Sequence, residues 1–346
     1  MTRYDTASSG FGPWRAGLKA RENGRGNDFG VTLFARPVGR VDVEFRKLKR
    51  MSVKSNYQKD PEVVAVQASK DPIEQQILAA GNLSAAQVEA IRGFQRRKGL
   101  TFGEAAIALG LVRRDSLFLA LSKRYNYPVL NFGVDEGRFS RELVVGYQPF
   151  SAAAESFRSV RSALATGPLS QGKNAFAVIG PRARGGVTYF AANLALSFAQ
   201  MAVPTLLVDA NLRKPRLASL FGVDPKTEGL VEALTHGEAE LPPVTLDIVP
   251  GLSLLVAGAT APHPQELLSS KEFLTLSQNA QRNYGVVIYD TPAALESADA
   301  YVVASRVGAA IVAARRHRSK VKDISKISKA LEGFQCDIAG TVLARF

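Results

Sequence analysis

Residues 174–193 carry the residue types that could bind a phosphate group. The run Ala175–Ile179 is short and apolar, as in a buried parallel strand, and apolar side chains recur at helical spacing after Thr188. Between them lies a loop rich in Gly and Arg. A strand, such a loop and a helix in this order aim backbone N–H groups and the helix dipole at a phosphate. The candidate binding residues are Arg182, Arg184, Gly185, Gly186 and Thr188.

This loop differs from an intact phosphate loop, GxxxxGK[ST], whose lysine contacts the β- and γ-phosphates. Thr188 supplies the hydroxyl for Mg²⁺, but Val187 stands at the lysine position. Because a lost charge-assisted contact removes about 1.5–3 kcal/mol, we expect ATP and ADP to bind weakly or not at all. Arg182 and Arg184 could replace the lysine, since a guanidinium fork suits phosphate, or they could merely solvate the loop.

Two carboxylates stand at the ends of later apolar runs, Asp209 after 205–208 and Asp290 after 286–289. The carboxyl ends of parallel strands meet at one edge of the sheet, where ligands bind. Carboxylate and hydroxyl oxygens are ligands for hard divalent cations. We therefore predict a Mg²⁺ site formed by Thr188, Asp209 and Asp290.

Alternating strands and helices must position these groups. Strands are predicted over 175–179, 205–209, 252–256, 286–290, 309–313 and 338–343, and intervening helices include 271–281 and 321–331. Strongly apolar strands that alternate with helices indicate an α/β fold, in which helices cover both faces of a parallel sheet. A further helix, 151–164, has Glu155, Arg158 and Arg161 at every third position. This spacing places them on one face, which either is solvated or meets carboxylates of a neighbouring subunit.

Residues 151–346 resemble the cytoplasmic domain of bacterial tyrosine kinases (BY-kinases), most of all the EpsG-like kinases associated with exopolysaccharide chain-length determinants. Five motifs in the family's order carry this resemblance. They are Glu155-x-x-Arg158-x-x-Arg161, Ala191-Ala-Asn193 after the loop, Leu206-Leu-Val-Asp209-Ala-Asn211-Leu-Arg213, Pro264-Gln-Glu266-Leu-Leu268 and Ile288-Tyr-Asp290-Thr-Pro292.

The resemblance implies a P-loop NTPase-like domain that uses ATP and Mg²⁺, with Asp209 and Arg213 as catalytic residues. It also implies a homo-oligomer, expected as a ring, formed through Glu155, Arg158 and Arg161. The implied partner is a membrane-anchored polysaccharide chain-length determinant protein. The chain is then expected to be cytoplasmic and held at the inner membrane through this partner, with no nucleic acid as a partner.

Two departures from the family pattern make the Walker A and second acidic motifs degenerate. Val187 replaces the lysine, and Asn211 replaces a second acidic ligand. We therefore expect impaired catalysis and a structural or regulatory role in exopolysaccharide synthesis and export. Two alternatives stay open. One is an active ATP-dependent protein tyrosine kinase of the same system, and the other is a partitioning ATPase of the MinD/ParA kind.

The region before the kinase-like part divides into three segments. We predict a disordered basic segment over 1–71, a small helical domain over 72–132 and a linker over 133–150. The helical domain weakly repeats, since the pattern around Ile77 returns 29 residues later around Ala106, and Ser84 and Gln87 fit a capping box. This domain resembles the N-terminal domain of type II secretion ATPases. Some of those domains bind cyclic di-GMP through an Arg-Leu-Gly motif at the start of each repeat. Neither repeat has this motif here, so we favour a role in docking to another protein or as a spacer.

Composition is consistent with a globular protein that lacks a membrane span. The 346 residues are 46% hydrophobic and carry a net charge of +13. Residues 1–60 hold 13 Lys and Arg against 6 Asp and Glu, a net of +7. Their cluster at 45–50 could contact anionic lipid or nucleic acid, although a solvated tail is the preferred interpretation. No apolar run reaches the roughly 20 residues of a span. The single cysteine, Cys336, fits a reducing compartment.

Overall fold

The computed structural model describes residues 31–34, 74–75, 77–78, 83–113, 128–130, 135, 137–149, 151–237, 243–247 and 249–344, the first of these ranges by its backbone alone. Within these ranges, no helix combines the length and the apolar character needed to cross a lipid bilayer.

The described residues form a sheet of eight strands in the order β1-β8-β7-β2-β6-β3-β5-β4. The six central strands, from β8 to β5, are parallel, and an antiparallel strand closes each edge. The strands are β1 (Val31–Phe34), β2 (Ala175–Ile179), β3 (Thr205–Asp209), β4 (Val244–Thr245), β5 (Leu252–Leu255), β6 (Val286–Asp290), β7 (Ala309–Arg315) and β8 (Asp337–Ala344).

Helices precede the sheet and connect its strands. They are α1 (Ala85–Lys98), α2 (Phe102–Ala108), α3 (Val144–Tyr147), α4 (Ala152–Thr166), α5 (Val187–Ala199), α6 (Leu217–Leu220), α7 (Leu230–His236), α8 (Pro264–Ser269), α9 (Lys271–Asn283), α10 (Asp299–Val307) and α11 (Val321–Gly333). The predicted α/β fold with helices on both faces of a parallel sheet is confirmed.

Alternate side chains of each central strand enter two different hydrophobic cores. In β2, Phe176 and Val178 pack with α4 and α5, whereas Ala175, Ala177 and Ile179 pack on the face covered by α9, α10 and α11. Every residue of β2, β3 and β6 is buried, and the residues inside these strands are apolar, as expected for a sheet covered on both faces. The acidic residues of β3 and β6 stand at their carboxyl ends, and the candidate site lies there.

Two segments before the sheet differ from their predictions. Residues 31–34, predicted to be disordered, form the edge strand β1 beside β8. Four residues are too few to show the alternation of apolar and polar side chains that indicates a strand. The strand forms because the free edge of β8 offers backbone groups for pairing. The rest of the predicted disordered segment lies outside the described residues.

The predicted linker, 133–150, contributes side chains to the core of the sheet. Phe139, Leu143, Val145 and Tyr147 are buried in the same cluster as α4 and α5. The Tyr147 hydroxyl donates to the carbonyl oxygens of residues 135 and 139 at 3.1 and 3.0 Å. We refer to residues 137–149 as the strap, because they run across α5 and α6 as part of the same domain.

A separate small core lies in the predicted helical domain. Its buried members are Ile77, Val88, Ile91, Phe102, Ala105 and Ala106. The predicted capping box is confirmed, since Ser84 and Gln87 exchange hydrogen bonds of 3.3 and 2.8 Å with each other's backbone. Thr101 and Glu104 form a second one at the start of α2. Residues 114–127 of the predicted helical domain lie outside the described residues.

Candidate nucleotide site

The phosphate loop connects β2 to α5 and leaves the start of this helix uncapped. Gly186 is the N-cap in the left-handed region, with φ of 84°, and no side chain caps the first turn. Gly185 donates to the carbonyl oxygen of Arg182 at 3.1 Å, which closes the loop on itself. A helix of 13 residues that begins without a cap presents N–H groups and the positive end of its dipole to an anion.

Val187 packs into the core of the sheet. It is 8% exposed, and a Cβ added to Gly180 would lie 2.5 Å from its Cγ2 atom. Gly180 is therefore needed for the close approach of the loop to α5. The lysine position of the loop thus holds an apolar side chain that contributes no charge to the site.

Asp209 and Asp290 end neighbouring strands and are Cα partners in the β3–β6 pairing. Both are fully buried. Asp209 accepts three backbone hydrogen bonds, from residues 211, 216 and 217, at 3.3, 3.0 and 2.9 Å. Neither carboxylate oxygen of Asp290 has a partner of standard hydrogen-bond geometry in the described part of the chain. A buried carboxylate without such partners is costly, and its position suits an ion.

Burial controls the protonation of this pair. It raises the pKa of Asp209 to about 6, against the opposing effects of the three N–H donors and the guanidinium of Arg216. Burial and then the charge of Asp209 raise the pKa of Asp290 well above its ordinary value, while the nearby Thr188 hydroxyl and Arg216 lower it. Two buried carboxylates on adjacent strands repel each other, so a divalent cation between them would relieve both effects.

The predicted metal ligands therefore lie together. Thr188 is in the first turn of α5, and its hydroxyl lies near enough to Asp290 to affect the pKa of that residue. One hydroxyl and two carboxylates suit Mg²⁺, which keeps several waters and takes phosphate oxygens as further ligands. No group of three or more His, Cys, Asp or Glu with metal-binding geometry occurs in the part of the chain that the structure describes.

No protein-family model matches the chain. Tyrosine-protein kinase ptk of Acinetobacter johnsonii is 32% identical over 192 residues, which are 55% of this chain and 26% of that protein. Tyrosine-protein kinase YwqD of Bacillus subtilis is 28% identical over 206 residues, 60% of this chain and 86% of YwqD. The solved kinase domain of the Escherichia coli tyrosine kinase ETK is 27% identical and has a TM-score of 0.57, covering 64% of this chain and 91% of that one.

The chain is similar to the kinase domains of bacterial tyrosine kinases (BY-kinases). The chain spans about a quarter of the length of ptk.

The two arginines of the phosphate loop differ in their contacts. Arg182 Nε donates to Oδ2 of the buried Asp323 of α11 at 3.1 Å. Arg184 is exposed and adopts a φ of 59°, and its carbonyl oxygen accepts from Nη1 of Arg315 at 3.3 Å. Of the two predicted replacements for the lysine, Arg182 is thus already bound to a carboxylate, whereas the side chain of Arg184 faces solvent.

Arg213, the predicted catalytic arginine, contacts the start of α10. Its Nε and Nη2 atoms donate to the two carboxylate oxygens of Asp299 at 2.7 and 3.1 Å, and Asp299 is fully buried. This two-pronged contact fixes the loop after β3 against the loop after β6. In this arrangement Arg213 holds the two loops that border the site in place.

The helix face with Glu155, Arg158 and Arg161 is occupied by contacts within the chain. Arg158 contacts Glu155 at 2.7 Å and donates to the carbonyl oxygen of Pro149 at 2.5 Å. Arg161 Nη1 donates to the carbonyl oxygen of Ser197 at 2.6 Å. The sequence indicates a face that is either solvated or in contact with a neighbouring subunit, whereas in the structure both arginines contact backbone atoms of their own chain, because α4 packs beside the strap and α5.

Three side chains at the site were missed from the sequence. Arg216 contacts Glu142 of the strap at 2.7 Å, and Glu296 accepts from the N–H of Ala183 at 2.8 Å. Arg216 lies three positions after the acidic motif, and this proximity is a sequence signal that could have marked it. Glu142 and Glu296 carry no such signal, since they reach the site only through packing.

Proposed function

We propose that this chain is a BY-kinase-like component of an exopolysaccharide synthesis and export system, with weak nucleotide binding and impaired phosphoryl transfer. The observation that carries the proposal is the buried Asp290 carboxylate, which lies beside Asp209 and Thr188 at the end of the phosphate loop. Relatives named tyrosine-protein kinases support the kinase family over the partitioning ATPases.

Each retained residue has a defined part in holding Mg·ATP, which would supply the phosphoryl group. Thr188, Asp209 and Asp290 hold the cation. Asp209 is oriented in advance by its three backbone donors. The uncapped start of α5 offers N–H groups and its dipole to the phosphates. These groups would bind and position the nucleotide. Positioning and electrostatic stabilisation are also the main contributions of a protein to phosphoryl transfer.

The impairment follows from the two replaced residues. Val187 is buried among apolar groups, so no ammonium group reaches the phosphates from this position. Asn211 lacks the charge of a second acidic ligand and is a poorer ligand for Mg²⁺. Arg182 is held by Asp323, which leaves fewer cations to stabilise charge that develops during transfer. We infer a structural or regulatory role in which nucleotide occupancy matters more than turnover.

The proposal includes a partner and an assembly. The chain docks on a membrane-anchored chain-length determinant at the cytoplasmic face of the inner membrane, and it forms a ring through Glu155, Arg158 and Arg161. Since both arginines have partners within the subunit, carboxylates of a neighbour would have to exchange with these contacts. A heterologous contact whose rotation closes forms a ring. Light scattering at low and high salt, in the presence of the partner's cytoplasmic segment, would measure the mass of the assembly. A ring held by ionic contacts should dissociate at high salt, because such contacts weaken with salt.

Titration calorimetry with Mg·ATP and Mg·ADP tests the nucleotide site directly. We expect saturable but weak binding that is lost in Asp290→Ala, and ATP hydrolysis close to background. Turnover comparable to that of a kinase with an intact loop, abolished by Asp290→Ala, would instead establish the active tyrosine kinase. The absence of any nucleotide binding would contradict the proposed site.

A further inference from the structure

Arg216 lies at the mouth of the candidate nucleotide site. Its backbone N–H donates to Oδ2 of Asp209 at 3.0 Å, so the position of this residue is tied to a proposed metal ligand. Its guanidinium projects to the strap, where Nη2 contacts Oε1 of Glu142 at 2.7 Å. The charge of Arg216 acts on both buried carboxylates of the site. Arg216 is therefore a cation close to the place where a nucleotide's phosphates would meet the metal.

The arginines near the site differ in how firmly they are held. Arg182 and Arg213 pair with Asp323 and Asp299, whose side chains are 3% and 0% exposed. Breaking such a contact would leave a buried carboxylate uncompensated, which is strongly unfavourable. Arg216 pairs with Glu142, and these two side chains are 49% and 43% exposed. An exposed pair is worth about 0–1 kcal/mol, so Arg216 can exchange its partner at little cost.

We propose that Arg216 supplies the positive charge that the lysine position, Val187, lacks, and that Glu142 holds this guanidinium until a phosphate takes its place. This inference rests on the proposed nucleotide site and names a binding residue of that site. The ligand class is a nucleoside di- or triphosphate with Mg²⁺. Arg216 contacts Glu142 through Nη2 alone, and a guanidinium can bind a phosphate through two parallel N–H donors, so the exchange can add a hydrogen bond.

The position of Glu142 gives the exchange a consequence for the strap. The backbone carbonyl oxygen of Glu142 accepts from Nδ2 of Asn193 at 2.9 Å, so its main chain is anchored on α5 independently of the carboxylate. Binding of phosphate would thus release only the side chain of Glu142. A phosphate and the Glu142 carboxylate compete for one cation, and removing the competitor should strengthen binding.

Four variants test this competition by calorimetry with Mg·ADP. Arg216→Gln removes the proposed cation, Glu142→Gln removes the competitor, and Arg184→Gln removes the other loop arginine that faces solvent. Lys214→Gln is the matched control, because it removes the same charge two positions away from an exposed side chain. The melting temperature of each variant without ligand reports whether it folds.

Loss of a charge-assisted contact predicts Mg·ADP binding that is about 10- to 150-fold weaker in Arg216→Gln. Loss of an exposed competing pair predicts binding about twofold to fivefold stronger in Glu142→Gln. Lys214→Gln should stay within about twofold of wild type, and Arg184→Gln should weaken binding less than Arg216→Gln. Should Arg216→Gln fail to fold, the gain in Glu142→Gln decides the question, because no general loss of structure produces a gain.

The outcomes separate this inference from the proposed function. If wild type binds Mg·ADP while Arg216→Gln matches Lys214→Gln, or Glu142→Gln gains nothing, the inference is overturned and the nucleotide site stands. If wild type does not bind but Glu142→Gln does, the inference holds and the native chain is not a nucleotide binder. If neither protein binds, both are overturned.

Discussion

Asp209 and Asp290 lie side by side at the carboxyl ends of β3 and β6, fully buried. Adjacent strands are about 4.8 Å apart, so the two carboxylates repel each other when both are ionised. We propose that a cation bound between the two carboxylates offsets this repulsion. This relationship leads to a prediction about stability in the absence of metal.

Replacing Asp290 by Asn should stabilise the metal-free protein at pH 8. A carboxyl whose pKa is higher in the folded than in the unfolded chain binds its proton more tightly when folded, so its contribution to stability is present below about pH 4 and is lost as the pH rises through the folded pKa. Because the pKa of Asp209 is about 6 and that of Asp290 is also raised, the gain in melting temperature should grow between pH 4 and pH 8.

The measurement is a series of melting curves in EDTA, with Asp247→Asn as the control, because the side chain of this residue is exposed. A gain in Asp290→Asn that is equal at pH 4 and pH 8 would contradict the pKa argument. Added Mg²⁺ and ADP should stabilise wild type at pH 8 and leave Asp290→Asn unchanged.

Restoring the two degenerate positions should strengthen nucleotide binding. In Val187→Lys with Asn211→Asp, the ammonium group and the second carboxylate return, and each charge-assisted contact is worth about 1.5–3 kcal/mol. We expect the calorimetric affinity for Mg·ADP to rise by at least tenfold. Val187→Met is the matched control, since it adds similar length without charge. Equal affinity of the double variant and wild type would show that the loop has changed in shape as well as in charge.

Arg161→Ala should lower stability, in addition to any effect on assembly. The guanidinium donates to the carbonyl oxygen of Ser197 near the end of α5, and loss of a charged hydrogen bond costs about 1.5–3 kcal/mol. The melting temperature should fall by several degrees. Arg318→Ala, at an exposed position, serves as the control and should change little. A melting temperature of Arg161→Ala that matches this control would contradict a stabilising role for this hydrogen bond.

Asn193→Ala should detach the strap from α5. The fully buried amide accepts from the N–H of Val145 at 2.9 Å and donates to the carbonyl oxygens of Glu142 and Tyr189, both at 2.9 Å. Each buried group left without a partner costs about 1–3 kcal/mol. We expect earlier melting and faster hydrogen exchange over 139–149. Exchange that accelerates equally throughout the sheet would show instead that the strap and the sheet open as one unit.

Cyclic di-GMP should not bind the helical domain. Thr101 caps α2 in the second repeat, and Phe102 is fully buried in the small core. Phe102 is therefore not available to a ligand, and neither residue has the charge of an arginine. At micromolar concentrations the dinucleotide should leave the melting curve of the full chain unchanged. A saturable shift that persists in Asp290→Ala would place a site outside the nucleotide loop and contradict this expectation.

The sequence determined the parts of the fold that depend on contiguous residues. The strands β2, β3 and β6 match their predicted bounds, because each is an unbroken apolar run that ends at a Gly or a polar residue. The convergence of Thr188, Asp209 and Asp290 was also predictable, since the carboxyl ends of parallel strands must meet at one edge of the sheet.

Tertiary structure decided which partners the charged side chains take. Arg216 and Glu142 are 74 positions apart, and Arg161 meets Ser197 across 36, so no local pattern indicates either contact. The strap looked like a linker because its few apolar residues show no period, yet Leu143 and Tyr147 are buried once α5 and α6 offer them a surface. Strands and helices can be predicted from neighbouring residues, because each has a regular backbone repeat. Ion pairs and packed loops join residues that are far apart in the sequence, and these residues come close only after the sheet and its helices have packed.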